Sequence, residues 1–290
     1  MTALRVCVTG AAGMTGAAAV TALLEAGHAV VATDTRPRPE AADGWDGDVI
    51  YTRADLIDYG QAVDILDGCD AVVHLANIPA PGLVTAARTL DENSAMNSHV
   101  FLAARQVGLS RVVWASSETT LGLTFGPDNP PRYAPVDEDH YPYPTSTYAL
   151  SKVLGETQAA TLARWSGTPH AALRLSNVIP VERYATFPQD WADPQRRMFN
   201  LWSYIDVRDA AGACLAALTA PLEGARSYVI AATDSAMAAP SAELMATHFP
   251  DVPLRADLGT YESLLSGARA AEELGFVPQH SWRDHVDAPR

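Results

Sequence analysis

The chain has 290 residues, a hydrophobic fraction of 48% and a formal net charge of −14, with a mean hydropathy of −0.01. This describes an ordinary globular chain, one large domain or one domain plus a small cap, and the acidic surplus argues against nucleic acid or anionic membranes as partners. No apolar run reaches the length of a membrane span, and Met1-Thr2-Ala3 leads straight into the first apolar stretch with no leader pattern, so a cytoplasmic compartment is expected.

Leu4-Arg5-Val6-Cys7-Val8-Thr9 reads as a short buried strand rich in β-branched residues. It runs into Gly10-Ala11-Ala12-Gly13-Met14-Thr15-Gly16, and Ala17, Val20, Leu23 and Leu24 then recur at helical spacing. A second strand, His28 to Thr33, ends at Asp34. Strand, glycine turn, helix, strand and terminal acid make a dinucleotide-binding unit. Gly10 allows the tight turn, Gly13 lets backbone N–H groups reach a pyrophosphate, and Gly16 lets helix and strand pack closely. Gly10, Gly13, Met14 and Gly16 are therefore candidate cofactor contacts. Asp34 can accept hydrogen bonds from both ribose hydroxyls and repels a 2′-phosphate, which favours NAD. Arg36 and Arg38 keep NADP open as an alternative.

Further strands read near residues 48–53, 70–76, 111–117 and 170–176, and crossover helices near 14–26, 58–67, 88–107 and 145–166. This alternation predicts an α/β fold, a Rossmann-like doubly wound parallel sheet. The dinucleotide-binding domain is expected over 1–178, and 179–290 as a small substrate-side cap partly interleaved with it. Residues 180–200 are rich in aromatics, Pro and Arg and read as a functional loop. Cys7, Cys69 and Cys214 are odd in number and far apart. They suit free thiols better than a disulfide framework, and no metal site is expected.

One lysine occurs in the whole chain, Lys152, four residues after Tyr148; the other nineteen basic residues are arginine. The spacing puts Tyr148 and Lys152 on one helix face. A compact ammonium near a phenol favours phenolate, and lowers its pKa toward the range of proton transfer.

Gly10-x-x-Gly13-x-x-Gly16 with Tyr148-x-x-x-Lys152 resembles the extended short-chain dehydrogenase/reductases, the NAD-dependent epimerase/dehydratase family. Asp55-Leu56, the strand Ala71 to Ala76, Asn97, the run Val112 to Ser117 with Gly122, and Tyr204 to Asp209 resemble further family motifs in the same order. The resemblance implies an NAD-dependent oxidoreductase with Ser117, Tyr148 and Lys152 as catalytic residues. Tyr148 would move the proton, Lys152 would hold the nicotinamide ribose and depress the tyrosine, and Ser117 would bind the reacting oxygen. It places Asp55, Leu56, Leu75, Ala76, Asn97, Tyr148 and Lys152 against the cofactor. Ser117 is preferred to Ser116 because it stands five residues before Gly122 and because strand alternation separates the two. Glu118 takes the first of two positions where family dehydratases carry acids, and Thr119 takes the second, which weakens a dehydratase reading.

Ser116-Ser117, Thr120-Leu121-Gly122 and Arg197-Met198-x-x-x-Trp202 are similar to the uronate dehydrogenases within this family. This likeness implies substrate contacts at Ser117, Glu118, Thr119, Asn177 and Arg197, with Arg197 as a bidentate carboxylate clamp. Pro79 and Glu118 depart from it, since Ser and Asn are expected there. The expected substrate is a small, oxygen-rich secondary alcohol or carbonyl compound. The alternatives are a nucleotide-sugar 4-epimerase and, from another class, an NAD(P)-sensing regulator. The two long helices carry apolar residues beyond what one sheet face needs: Ala95, Met96, Val100, Phe101 and Leu102 on the first, Leu150, Val153, Leu154 and Leu162 on the second. In similar enzymes these helices pair across a two-fold axis, so a homodimer is expected.

Overall fold

Apolar runs with no alternation form strands only where both sheet faces are covered, and this chain has several. The computed structural model describes residues 3–39, 45, 48–140, 142–255 and 257–287. Met1 and Thr2, on which the leader reading rests, lie outside them. β1 (Arg5–Thr9) is followed by α1 (Met14–Glu25), β2 (Ala29–Asp34), β3 (Val49–Arg53), α2 (Tyr59–Leu66) and β4 (Ala71–His74). Then come α3 (Ala86–Val107), β5 (Arg111–Ala115), α4 (Thr147–Ser166) and β6 (His170–Leu175). Each of these falls where the sequence pattern places it.

The strands form one seven-stranded sheet in the order β3-β2-β1-β4-β5-β6-β9, every pairing parallel, with β9 spanning Ala225–Ile230. The chain leaves β1 toward β2 and β3 and returns on the other side as β4. That reversal opens a crevice at the carboxyl ends of β1 and β4, where ligands bind in doubly wound sheets. Pleat alternation sends Val6 and Val8 into one apolar cluster and Cys7 into the other. The first cluster lies under α1 and α6 (Val207–Thr219), the second under α2, α3 and α4.

β9 is absent from the strands expected above. Its Tyr228-Val229-Ile230 run is buried, but the exposed Arg226 before it breaks the apolar signal. Between β6 and β9 the chain builds a small parallel pair, β7 (Val178–Ile179) with β8 (Ile205–Asp206). The stretch between them is ordered into short helical turns: Val181–Thr186, α5 (Pro188–Trp191) and Pro194–Asn200. Asp206 caps α6 by accepting from Arg208 N at 2.8 Å. α7 (Ser241–His248) and α8 (Ala268–Leu274) complete the chain. A third apolar cluster joins Leu121, Phe125 and Val136 to Trp202, Met237 and Leu244, so it is built from separate stretches of chain.

α4 carries the Tyr148–Lys152 pair and is fixed at both ends. Ser146 Oγ accepts from Ala149 N at 3.1 Å, and Gly167 closes the helix in the left-handed region at φ 74. Three positions counted above as surplus on the long helices are core instead. Val100, Phe101 and Leu162 are buried against the sheet within one subunit. A 3.6-residue helix turns enough of its circumference toward sheet and neighbouring helix to use them. Leu102 and Leu154 remain exposed. No helix among the described residues is long and apolar enough to cross a membrane.

Candidate active site

The crevice holds a cleft of about 750 Å³, lined by Gly10, Gly13, Met14, Gly16, Asp34, Asp55, Leu56, Leu75 and Ala76 among others. Gly10 has φ +68, and a Cβ there would lie 2.7 Å from Ala76 N. Gly13 is the N-cap of α1 and offers no side-chain acceptor, so the first-turn N–H groups meet no capping side chain. That is a ready anion site for a pyrophosphate. Asp34 Oδ2 accepts from Ala12 N at 3.1 Å, and Oδ1 from Arg36 N at 3.0 Å. Burial pushes this carboxyl up, but the Arg36 hydrogen bonds and charge and the Ala12 amide outweigh it and hold it below its usual range. Arg36 lies on Asp34, Nε to Oδ1 at 3.2 Å, while Arg38 turns to the Trp45 ring and donates to its carbonyl.

A second cavity of about 410 Å³ shares Met14, Leu75 and Asn77 with the first and continues it toward α4. Ser117, Glu118, Thr119, Tyr148, Lys152 and Asn177 all line it. Ser117 Oγ accepts from Thr119 N at 3.1 Å and from Thr119 Oγ1 at 2.9 Å, and it lines the cavity together with Tyr148, whose phenol pKa it lowers. Ser116 is committed elsewhere: its Oγ donates to Glu156 Oε1 at 2.6 Å, in a carboxylate already paired with Arg174.

Lys152 Nζ donates to Asn77 Oδ1 at 2.8 Å and to Ala115 O at 2.7 Å. Burial lowers its pKa to about 7. Tyr148 is pushed up to about 12 by burial, with the Glu118 charge adding and the Ser117 hydrogen bond opposing. This corrects the expectation that Lys152 depresses the phenol. In the protein alone burial dominates, and the ammonium lies 5.5 Å from the ring centroid.

Two other expectations are corrected. Asn97 is fully buried and lines neither cavity. Asn77 stands between it and the cleft, donating from Nδ2 to Asn97 Oδ1 at 3.2 Å. Arg197 stands behind the cavity wall. Its Nη2 donates to Asn177 Oδ1 at 3.1 Å and Ser203 O at 3.0 Å, and the guanidinium lies over the Phe187 ring. These contacts turn it away from a clamp position.

The sequence reading missed Asn77, Ser176 and Asn200. Asn77 follows an apolar strand at its carboxyl end, which is the signal that marks it. It belongs to a buried chain of polar contacts: Thr9 Oγ1 meets His74 Nδ1 at 2.7 Å, and His74 Nε2 meets Asn97 Oδ1 at 3.1 Å. Burial, and secondarily the Lys152 charge, lowers His74 to about 3, so this imidazole is neutral.

The sequence profile of the NAD dependent epimerase/dehydratase family matches residues 6–231. The chain belongs to this family. NAD is accordingly its cofactor, and the glycine turn, the uncapped helix start and Asp34 fit that molecule. As a family member the chain is an enzyme of the NAD-dependent dehydrogenase, reductase or epimerase type. It is 29% identical over 205 residues to a uronate dehydrogenase of Pseudomonas putida, covering 70% of this chain and 68% of that one. It is 28% identical over 277 residues to cinnamoyl-CoA reductase 2 of Arabidopsis thaliana, covering 86% and 79%. A solved UDP-galactose 4-epimerase superposes with a TM-score of 0.70 at 27% identity, covering 96% of this chain and 94% of that one. A short-chain dehydrogenase/reductase of Agrobacterium tumefaciens with bound NAD shares the fold, with a TM-score of 0.71 at 24% identity, covering 96% and 94%.

In this family member Asn77 is placed to position Lys152. Asn77→Ala is expected to lower kcat about ten-fold, the rate equivalent of losing one hydrogen bond to a charged group, with a shifted pH–rate profile. Asn77→Asp should shift the same profile toward higher pH, because a carboxylate favours the charged ammonium. Identical profiles in all three proteins would remove Asn77 from this role.

Proposed function

We propose that this enzyme transfers a hydride between NAD and a secondary alcohol or carbonyl of a small, oxygen-rich substrate. The observation that carries the proposal is the meeting of Ser117, Tyr148 and Lys152 in one cavity continuous with the cofactor cleft. NAD, when bound, accepts or returns two electrons and the carbinol hydrogen as hydride. Tyr148 takes or gives the hydroxyl proton. Ser117, its orientation set by Thr119, holds the reacting oxygen. Lys152, oriented by Asn77 and the Ala115 carbonyl, faces the ribose side and supplies positive charge beside the phenol once protonated. Arg197 orients Asn177 in the cavity wall rather than meeting substrate.

The second reading is a nucleotide-sugar 4-epimerase, favoured by the likeness to the UDP-galactose 4-epimerase structure. Incubation with neutral sugars, sugar acids and nucleotide sugars in turn, with added NAD, separates the two. The dehydrogenase reading predicts stoichiometric NADH at the nicotinamide absorbance. Interconversion of nucleotide sugars with no net NADH would overturn it.

Two further readings belong to the proposal. The enzyme works in the cytoplasm, supported by free Cys7, Cys69 and Cys214. It assembles as a two-fold dimer through α3 and α4, supported by exposed Leu102 and Leu154 on these helices.

A further inference from the structure

Glu118 is a buried carboxyl on the wall of the substrate cavity, and the proton-transfer scheme above leaves it unused. Its Oε2 accepts from Ser176 Oγ at 2.5 Å and its Oε1 from Asn200 Nδ2 at 3.1 Å. The Asn177 backbone amide also acts on it, and with about four lone-pair sites the carboxylate keeps capacity for a further donor. It lines the same cavity as Ser117 and Tyr148, and its charge raises the Tyr148 phenol pKa.

The surroundings decide which donor it can take. Among the described residues, Lys152 is the one cationic side chain on the cavity lining, and its ammonium is held by Asn77 and the Ala115 carbonyl. Arg197 lies behind the wall, bound to Asn177 and Ser203, with Asp190 Oδ2 at 4.0 Å from its Nη1. Pro79, Ala80, Pro81 and Phe199 add apolar surface. A ligand therefore meets one acid among apolar residues and the neutral polar groups of Ser117, Thr119, Ser176 and Asn177, while the Arg197 charge acts on Glu118 from behind the wall without lining the cavity. A carboxylate or phosphate set beside an ionised Glu118 would face a like charge at low dielectric, which disfavours it. A hydroxyl there would donate to it.

We infer that the substrate is a small uncharged vicinal diol or the corresponding hydroxy-carbonyl compound, and that Glu118 selects it by accepting a hydrogen bond from the hydroxyl next to the reacting carbon. The inference rests on the oxidoreductase reading and narrows its substrate. The apolar wall takes the C–H face of such a molecule, and the cavity size excludes nothing of three to six carbons. Burial, against the Ser176 and Asn200 hydrogen bonds and the Arg197 charge, pushes Glu118 up to about 7, so the preference for the neutral compound should sharpen as pH rises through that value.

The test uses matched pairs of neutral compound and acid: galactose with galacturonate, glycerol with glycerate, and 1,2-propanediol with lactate. Turnover is measured on the wild-type enzyme with NAD. Binding is measured by calorimetry on Tyr148→Phe loaded with NAD, where turnover is blocked. The neutral member should be preferred about ten-fold or more in kcat/KM and in Kd. Glu118→Gln should shrink that ratio to a few-fold, mainly through KM. Acids that bind or react as well as their neutral partners overturn the inference. So does an unchanged ratio in Glu118→Gln with intact NAD binding. If Glu118→Gln does not fold, the wild-type ratio decides. Neutral compounds that bind without reacting sustain the recognition and overturn the hydride-transfer reading; binding of neither class overturns the recognition itself.

Discussion

Tyr148→Phe is expected to lower kcat by about 10²–10⁴-fold, the usual contribution of a positioned proton-transfer group, while NAD affinity stays within a few-fold. The phenol is buried in the cavity that Ser117 and Glu118 also line, so removing its oxygen deletes the proton path and little else. Ring packing in the first turn of α4 is unchanged by the substitution, so the fold should persist. Stopped-flow turnover and calorimetric NAD binding measure the two halves separately. Lys152→Arg should fail as well. The site accepts a compact ammonium between Asn77 and the Ala115 carbonyl, and a planar guanidinium cannot fit those two acceptors in the same way. Wild-type turnover in Tyr148→Phe would remove the proposed mechanism.

Gly16→Ala is expected to damage cofactor binding and stability together. A Cβ at Gly16 would lie 2.1 Å from Gly10 O and 2.9 Å from Ala11 Cα. All the nearby atoms are backbone, so no side chain can rotate away. α1 would have to lift from the glycine turn, moving the N–H groups that face the cleft. Overpacking of this kind costs about 1–3 kcal/mol or more, and a loss of several degrees in Tm follows. Gly13→Ala is the control: its Cβ would lie 3.1 Å from Gly10 O, a contact that a small shift relieves. It should keep most of the stability. Equal Tm values and NAD affinities for Gly16→Ala and the wild-type protein would show that helix–strand packing does not depend on this glycine.

The strand–turn–helix unit from Arg5 to Asp34 was legible in the sequence because each feature is local. β-branched runs, glycines at fixed offsets and helical periodicity act within a few residues of one another. The Tyr148–Lys152 spacing was legible for the same reason: helix geometry alone sets it. The parallel sheet followed from the alternation of these local signals. What the sequence left open depends on side chains far apart along the chain. Asn77 and Lys152 are 75 positions apart, and Glu118 and Asn200 are 82 apart; only the folded chain brings them together. Arg197 looked like a carboxylate clamp by motif, and Asn177, Ser203 and Phe187 turn it behind the wall. Tyr148 looked activated by its lysine, yet its acidity is set by burial, a property of the whole fold that no local spacing contains. The sequence by itself determined fold and cofactor, and it set the Tyr148–Lys152 spacing on one helix face. Tertiary structure alone decided which charges line the cavity, because electrostatic contact depends on distance in space and not along the chain.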